Sequence, residues 1–188
     1  QTQTNVDGSL KIIPTVQLHN VGTRLIENAD LALRAENETK LAETWIGNID
    51  IGGAAVYTFD SYFYLLDASS VDYVCVEAFS VNDNTEVNLA NNKVCKMLND
   101  GLLKMSAPYP NPAREIIYTD LIMKNDGLVH IDVVDMIGKN VKSKENVTVV
   151  EGYNKISIDT DNMLMGEYIL RIKYLDEEYF QRFTILNK

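Results

Sequence analysis

The sequence is poor in the residues that most often carry chemistry. In 188 residues there are two histidines, two cysteines, one tryptophan and four prolines. His19 and His130 each sit on an alternating stretch that reads as a strand, where a lone histidine is a satisfied structural residue. Zinc needs three or four converging ligands, and no spacing here supplies them. Ser69-Ser70 and Ser157 lack the strand-to-helix elbow of a nucleophilic serine, and Cys75 has no recognisable base nearby, so acyl transfer finds no support. Gly52-Gly53 is not followed by the Lys and Ser/Thr of a phosphate loop. No apolar run approaches the roughly 18 residues that span a bilayer as a helix. The chain also opens at Gln1 with no basic and apolar leader, so a mature protein or a piece of a longer one is expected.

Positive charge is scarce as well. Net charge is −10, and residues 1–100 hold 6 Lys+Arg against 14 Asp+Glu, while residues 101–188 hold 11 against 13. An acidic first half repels phosphate backbones and anionic lipid, which excludes nucleic acid as an expected partner. The run Asn82-Asp83-Asn84-Thr85-Glu86-Val87-Asn88 is rich in oxygen. It lacks the central glycine and terminal bidentate glutamate of a helical calcium loop and reads as a turn. No metal and no cofactor is expected.

What is present is period-two alternation. Residues 11–21, 29–35, 41–46 and 55–59, then the stretches around Cys75 and Cys95, give six or seven short strands in the first 100 residues, separated by turn signals. About seven more follow between 115 and 186. The predicted class is all-β: two tandem immunoglobulin-like antiparallel β-sandwich domains. Cys75 and Cys95 fall opposite each other if their strands form one hairpin centred near Thr85. A disulfide there, closing a loop of ~20 residues, would stabilise by roughly 3 kcal/mol and would imply an oxidising compartment; two buried thiols are the alternative. Trp45, Tyr57, Phe59, Tyr62 and Tyr64 offer either a flat platform for sugars or, for most of them, core packing.

Three of the four prolines lie in Ala107-Pro108-Tyr109-Pro110-Asn111-Pro112-Ala113. Proline fixes φ, lacks a donor and restrains the residue before it, so this stretch is predicted to run extended as a stiff connector or the lead-in to an edge strand. It marks a boundary between a domain over 1–98, a linker over 99–105 and a domain over 106–188. Within the linker, Asn99, Asp100, Gly101 and Leu102 form a small, polar stretch suited to proteolytic cutting.

Two resemblances rest on motif order. Val16-Gln17-Leu18-His19-Asn20-Val21-Gly22, Glu43-Thr44-Trp45-Ile46-Gly47, Gly52-Gly53 with Tyr57-Thr58-Phe59, and Asp83-Asn84 followed by Asn91-Asn92 resemble the CARDB-type adhesion domains of bacterial surface proteins. That likeness implies a spacer or adhesion module, with glycans or surface proteins as partners, and supplies no catalytic residue. Tyr109, Pro110, Asn111, Pro112 and Ala113, then Val133-Val134-Asp135 with Gly138 and Lys139, then Gly166 with Tyr168, then Phe183 and the terminal Lys188, resemble the type A C-terminal sorting domain of the type IX secretion system of Bacteroidetes. The resemblance implies passage through the periplasm and a type IX translocon, trimming by the system's surface sortase, attachment to anionic lipopolysaccharide, and a secreted or outer-membrane-surface location. Pro108 is additional to that motif. A non-catalytic C-terminal region is expected; the rival is a carbohydrate- or protein-binding accessory module of an extracellular hydrolase.

Overall fold

The computed structural model describes residues 2–4, 9–36, 38–65, 71–85 and 91–186. It is all-β and divides into two compact units, Gln1–Asp100 and Gly101–Lys188. The first holds β1 (Thr2–Thr4), β2 (Leu10–Ile12), β3 (Thr15–His19), β4 (Ile26–Ala35), β5 (Glu38–Ile49), β6 (Ala54–Thr58), β7 (Phe63–Leu65), β8 (Tyr73–Val81), β9 (Asn84–Thr85) and β10 (Lys93–Met97). The second holds β11 (Leu103–Met105), β12 (Ile116–Met123), β13 (Gly127–Asp135), β14 (Asn140–Val149), β15 (Gly152–Asp159), β16 (Gly166–Tyr174) and β17 (Glu177–Ile185). Every strand pairing is antiparallel, consistent with immunoglobulin-like sandwiches.

In the first unit the main sheet runs β10-β8-β4-β5, with β9 on β8; β1-β2-β7 and β3-β6 are smaller sheets. The alternation of residues 11–21 predicts one strand and the structure makes two. Pro14 lacks a donor, and around it the chain changes partner: β2 pairs β7, whereas β3 pairs β6. Alternation along β4 sends Ala29, Leu31 and Leu33 inward, and Ala29 and Leu31 meet Trp45, Ile49 and Phe59 in the core. Asn20, 1% exposed, is the polar hub of this unit. Its amide donates to the carbonyls of Arg24 (2.7 Å) and Ile49 (2.9 Å), and its side-chain oxygen accepts from Gly22 N–H (3.0 Å). Backbone bonds to Gly52 and Gly53 complete the clamp, which is the physical reason for the Asn-Val-Gly and Gly-Gly turn signals.

In the second unit, a three-stranded sheet β11-β12-β15 packs on a four-stranded sheet β14-β13-β16-β17. Ile117, Leu121 and Met123 of β12 meet Val129, Ile131 and Val133 of β13, Leu170 and Ile172 of β16, and Phe183 and Ile185 of β17; none is more than 2% exposed. Each large side chain so placed contributes about 1.5–3 kcal/mol of transfer free energy. β14 and β15 are the outer strands on one side of the two sheets. Lys142 and Lys144 of β14 reach across to the carbonyls of Asp159 and Ser157 on β15.

The boundary differs from expectation. The two units divide after Asp100, and Leu103–Met105 form a strand of the second unit, paired with Leu121–Met123. Leu103 and Met105 are buried, which a connector would not require. Three residues with one polar member were too short to show as alternation.

Candidate functional site

Four stretches far apart in sequence converge at one end of the second unit. Asp135, the last residue of β13, pairs with Tyr168 near the start of β16; Gly166, the first of β16, pairs with Ile185, the last of β17; and Ala113 bridges to that same Ile185. The proline stretch, the Gly138-Lys139 turn, the Gly166-Tyr168 strand opening and the Phe183-Ile185 strand end therefore share one pole of the sandwich. Lys188 lies outside the described residues.

The proline stretch does not stand away from the domain as a rigid spacer. Tyr109 exchanges backbone hydrogen bonds with Tyr118 of β12 (2.8 and 2.7 Å), continuing the edge begun by β11. The peptide bonds before Pro110 and Pro112 are cis. Ala113 N–H then donates to Thr184 O (2.8 Å), Leu186 N–H donates to Ala113 O (2.9 Å), and Asn111 Oδ1 accepts from Thr184 N–H (3.0 Å). The stretch thus passes from the edge of one sheet to the edge of the other and ties them. Ala113 is fully buried at that crossing, where a larger side chain would have no room. Pro108 is also buried.

Tyr109 is held from its side chain too. Its hydroxyl and that of Tyr153 both donate to Asp120 Oδ1, at 2.8 and 2.9 Å. The Tyr109 and Tyr118 rings lie 5.9 Å apart, with the Lys155 ammonium 4.4 Å from the Tyr118 ring centre. Burial, then the Asp120 carboxylate, pushes both the Tyr109 and Tyr153 hydroxyls well above the ordinary tyrosine range.

The Gly138-Lys139 turn is capped by Asp135, whose Oδ1 accepts from Ile137 N–H (3.1 Å) and Lys139 N–H (2.9 Å). Gly138 has φ of 84°, the conformation glycine adopts without steric cost. Tyr168 is buried with its ring stacked on Phe183, centroids 5.8 Å apart, and its hydroxyl donates to Leu164 O (2.8 Å). Motif residues thus shape this pole, while the solvent meets the turn residues beside them.

Asp132 was not singled out by sequence reasoning, yet its carboxylate is met by side chains from three strands. It is 1% exposed, on the outer side of β13. Arg171 donates to Oδ2, and Asn140 (2.8 Å) and Ser143 (2.9 Å) donate to Oδ1. His130 Nε2 lies 2.9 Å from the same Oδ1 and 3.1 Å from Ser143 Oγ. Because one nitrogen meets both the carboxylate and the hydroxyl, this is not the two-sided relay of a serine nucleophile. The signal in sequence was a charged residue at an alternating strand position with a cation at the facing position of another strand.

In the first unit, Cys75 and Cys95 are joined by a disulfide between directly opposed positions of β8 and β10. The aromatics divide: Trp45 and Phe59 are core, Tyr57 lies half-buried beside Phe59, and Tyr62 and Tyr64 stay exposed. They do not form one platform. Glu43 instead holds the turn after β6, accepting from Tyr57 hydroxyl (2.8 Å), Asp60 N–H (3.0 Å) and Ser61 N–H (2.7 Å). Burial opposes its charge, but these donors together hold its carboxyl below the usual range. His19 lies exposed on β3. Asn82 and Asp83 make a positive-φ turn after β8, and Asn82 Oδ1 caps Glu27 N–H (2.8 Å); residues 86–88 of that oxygen-rich run, and Ser69-Ser70, lie outside the described residues.

The proposed cutting region is held on both sides. Leu98 N–H donates to Asp72 O (2.8 Å) and Asn99 to Asp72 Oδ1 in the first unit, while Leu102 O accepts from Lys124 N–H (3.0 Å) in the second. Asp100 and Gly101 mark the division between them.

Residues 107–186 match the family described as the secretion system C-terminal sorting domain. The match covers most of the second unit and less than half of the chain. Dimeric latent PorU from Porphyromonas gingivalis is a similar solved structure, 16% identical over 96% of this chain, with a TM-score of 0.36. This chain covers 18% of that one. Among curated proteins none matches.

Proposed function

We propose that residues 101–188 are a type IX export label and residues 1–100 a CARDB-like, non-catalytic spacer or adhesion module, together forming the C-terminal region of a secreted bacterial protein. The observation that carries this reading is the gathering of the proline, Gly138-Lys139, Gly166-Tyr168 and Phe183 segments at one pole, within residues that match the sorting family. A machine that must recognise many cargoes needs a feature independent of cargo, and a folded pole with a fixed set of turns provides one. The route is through the periplasm to a type IX translocon, then trimming between Asn99 and Leu102 by the surface sortase and attachment to anionic lipopolysaccharide. The disulfide between Cys75 and Cys95 fits such an oxidising passage. The first unit's acidic balance and buried Trp45 favour a spacer over a sugar-binding platform of an extracellular hydrolase. Residues 101–188 fused to a periplasm-directed reporter should carry it to the surface of a type IX host. Retention of the reporter in the periplasm overturns the proposal.

A further inference from the structure

The two sheets of the second unit end in four outer strands, β11, β15, β14 and β17. Three of them are guarded against an added strand. β11 is only three residues long. β14 pairs with β13 through two register shifts, and such bulges bend an edge away from partners. The Asp159 and Ser157 carbonyls of β15 are already taken by Lys142 and Lys144. β17 has none of these devices, since its nine residues pair with β16 without a single shift.

Thr184 shows which backbone groups of β17 face outward. Its N–H donates to Asn111 Oδ1 and its carbonyl accepts from Ala113 N–H, both on the side away from β16. Antiparallel bonding alternates along a strand, so Tyr179, Gln181 and Phe183 exchange bonds with Ile172, Leu170 and Tyr168, while the N–H and C=O groups of Glu178, Phe180 and Arg182 point outward. These outward groups have no backbone partner among the described residues. The open edge runs from the turn after β16 to the Ala113 crossing, with Phe180, 55% exposed, at its middle. Charge around it is balanced. Glu178 pairs with Lys173, Arg182 with Glu167, and Arg171, which faces Phe180 on β16, is held by Asp132.

This edge is complementary to itself. A second β17 laid antiparallel about a two-fold axis at Phe180 sets Glu178 against Arg182 of the second copy and Arg182 against its Glu178, with the two Phe180 side chains meeting across the axis. Each of these facing pairs exchanges both N–H···O bonds. Asp176, in the turn before β17, falls opposite Thr184 of the other copy, so the added strand turns away where the Ala113 crossing closes the edge. The net charge of −10 disfavours contacts between copies in general, which leaves this locally balanced edge as the place for one.

We propose that β17 is the interface between two copies of this chain, joining their four-stranded sheets into one continuous sheet. The pairing requires nothing of the export reading. Sedimentation of the full chain at roughly 100 μM should show a dimer, since a small edge contact belongs to the micromolar class. Arg182→Glu sets two glutamates face to face at each end and should weaken dimerisation at least about tenfold, and adding Glu178→Arg to it should restore the wild-type level. Phe180→Cys should give a disulfide-linked dimer on mild oxidation, because facing residues of a hydrogen-bonded pair have Cα atoms about 5.5 Å apart, within disulfide reach. If the unfolding midpoint of Arg182→Glu falls below that of wild type, the Phe180→Cys cross-link decides. A wild-type chain that stays monomeric overturns the proposal and leaves the edge to a strand of a different protein. A dimer that persists undiminished in Arg182→Glu, or that fails to cross-link through Phe180→Cys, lies elsewhere on the chain and overturns it as well.

Discussion

Arg171 grips Asp132 across the β13-β16 pairing, its Nε at 3.1 Å and its Nη2 at 2.6 Å both donating to one carboxylate oxygen. The two residues are directly opposed in the strand register. Burial alone would raise the Asp132 pKa; donors from Arg171, Ser143, Asn140 and His130 outweigh it and hold the carboxyl well below the usual aspartate range.

A depressed folded pKa sets the sign of the pH dependence. The ionised carboxylate contributes its full stabilisation above the unfolded aspartate value of about 3.9, and that contribution is lost as pH falls from there toward the folded value. Asp132→Ala should cost the second unit roughly 3 kcal/mol at pH 7, because it leaves Arg171 without its partner. Urea unfolding at pH 7 and at pH 3 should show the difference from wild type shrinking at the lower pH. A gap that stays constant would mean that the carboxylate's charge is not what stabilises.

Ala113 has no room to grow. Ala113→Leu should destabilise the second unit by about 1–3 kcal/mol through overpacking, and it should do so by parting the backbone bonds to Thr184 and Leu186. Hydrogen exchange at the amides of Ala113 and Leu186 should accelerate before that of the β12 core. Uniform acceleration across the unit would show that the crossing is not a separate point of weakness.

Reduction of Cys75 and Cys95 should act on one unit only. Releasing a loop of ~20 residues is worth about 3 kcal/mol in the chain-entropy account. Calorimetry with and without reductant should therefore lower the transition belonging to the first unit and leave the other in place. Movement of both transitions would show that the units unfold together.

Gly47 lies beneath the indole of the single tryptophan. A Cβ at that position would sit 2.5 Å from Trp45 Cζ2, so Gly47→Ala must push the ring from its present seat. Tryptophan emission should shift to the red with a loss of about 1–3 kcal/mol, the usual range for overpacking. An unshifted spectrum would mean that the ring yields without leaving the core.

Much of the fold was legible because alternation and turn chemistry are local. β4, β13 and β16 follow from apolar residues at every second position, and the opposition of Cys75 and Cys95 followed from counting along one hairpin. The double strand around Pro14, the membership of Leu103–Met105 and the crossing at Ala113 were hidden, since each is decided by which distant strand supplies the partner. The motifs of the second unit could be named in order from sequence. That they meet at one pole depends on the β13-β16-β17 register, and the Asp132 network depends on four residues from three strands.

On the proposed export reading, β11 gives the proposed cutting region a clock. A protease that works on Asn99 to Leu102 needs extended chain on both sides of the bond, and on the downstream side that chain is already zipped to β12 at Leu103–Met105. Cutting then waits on spontaneous opening of a three-residue strand at a sheet edge, and its rate scales with the fraction of time spent open. On the proposed export reading, release becomes a property of how well Leu103 and Met105 are seated, so the unit proposed to address a cargo would also set how long it stays attached.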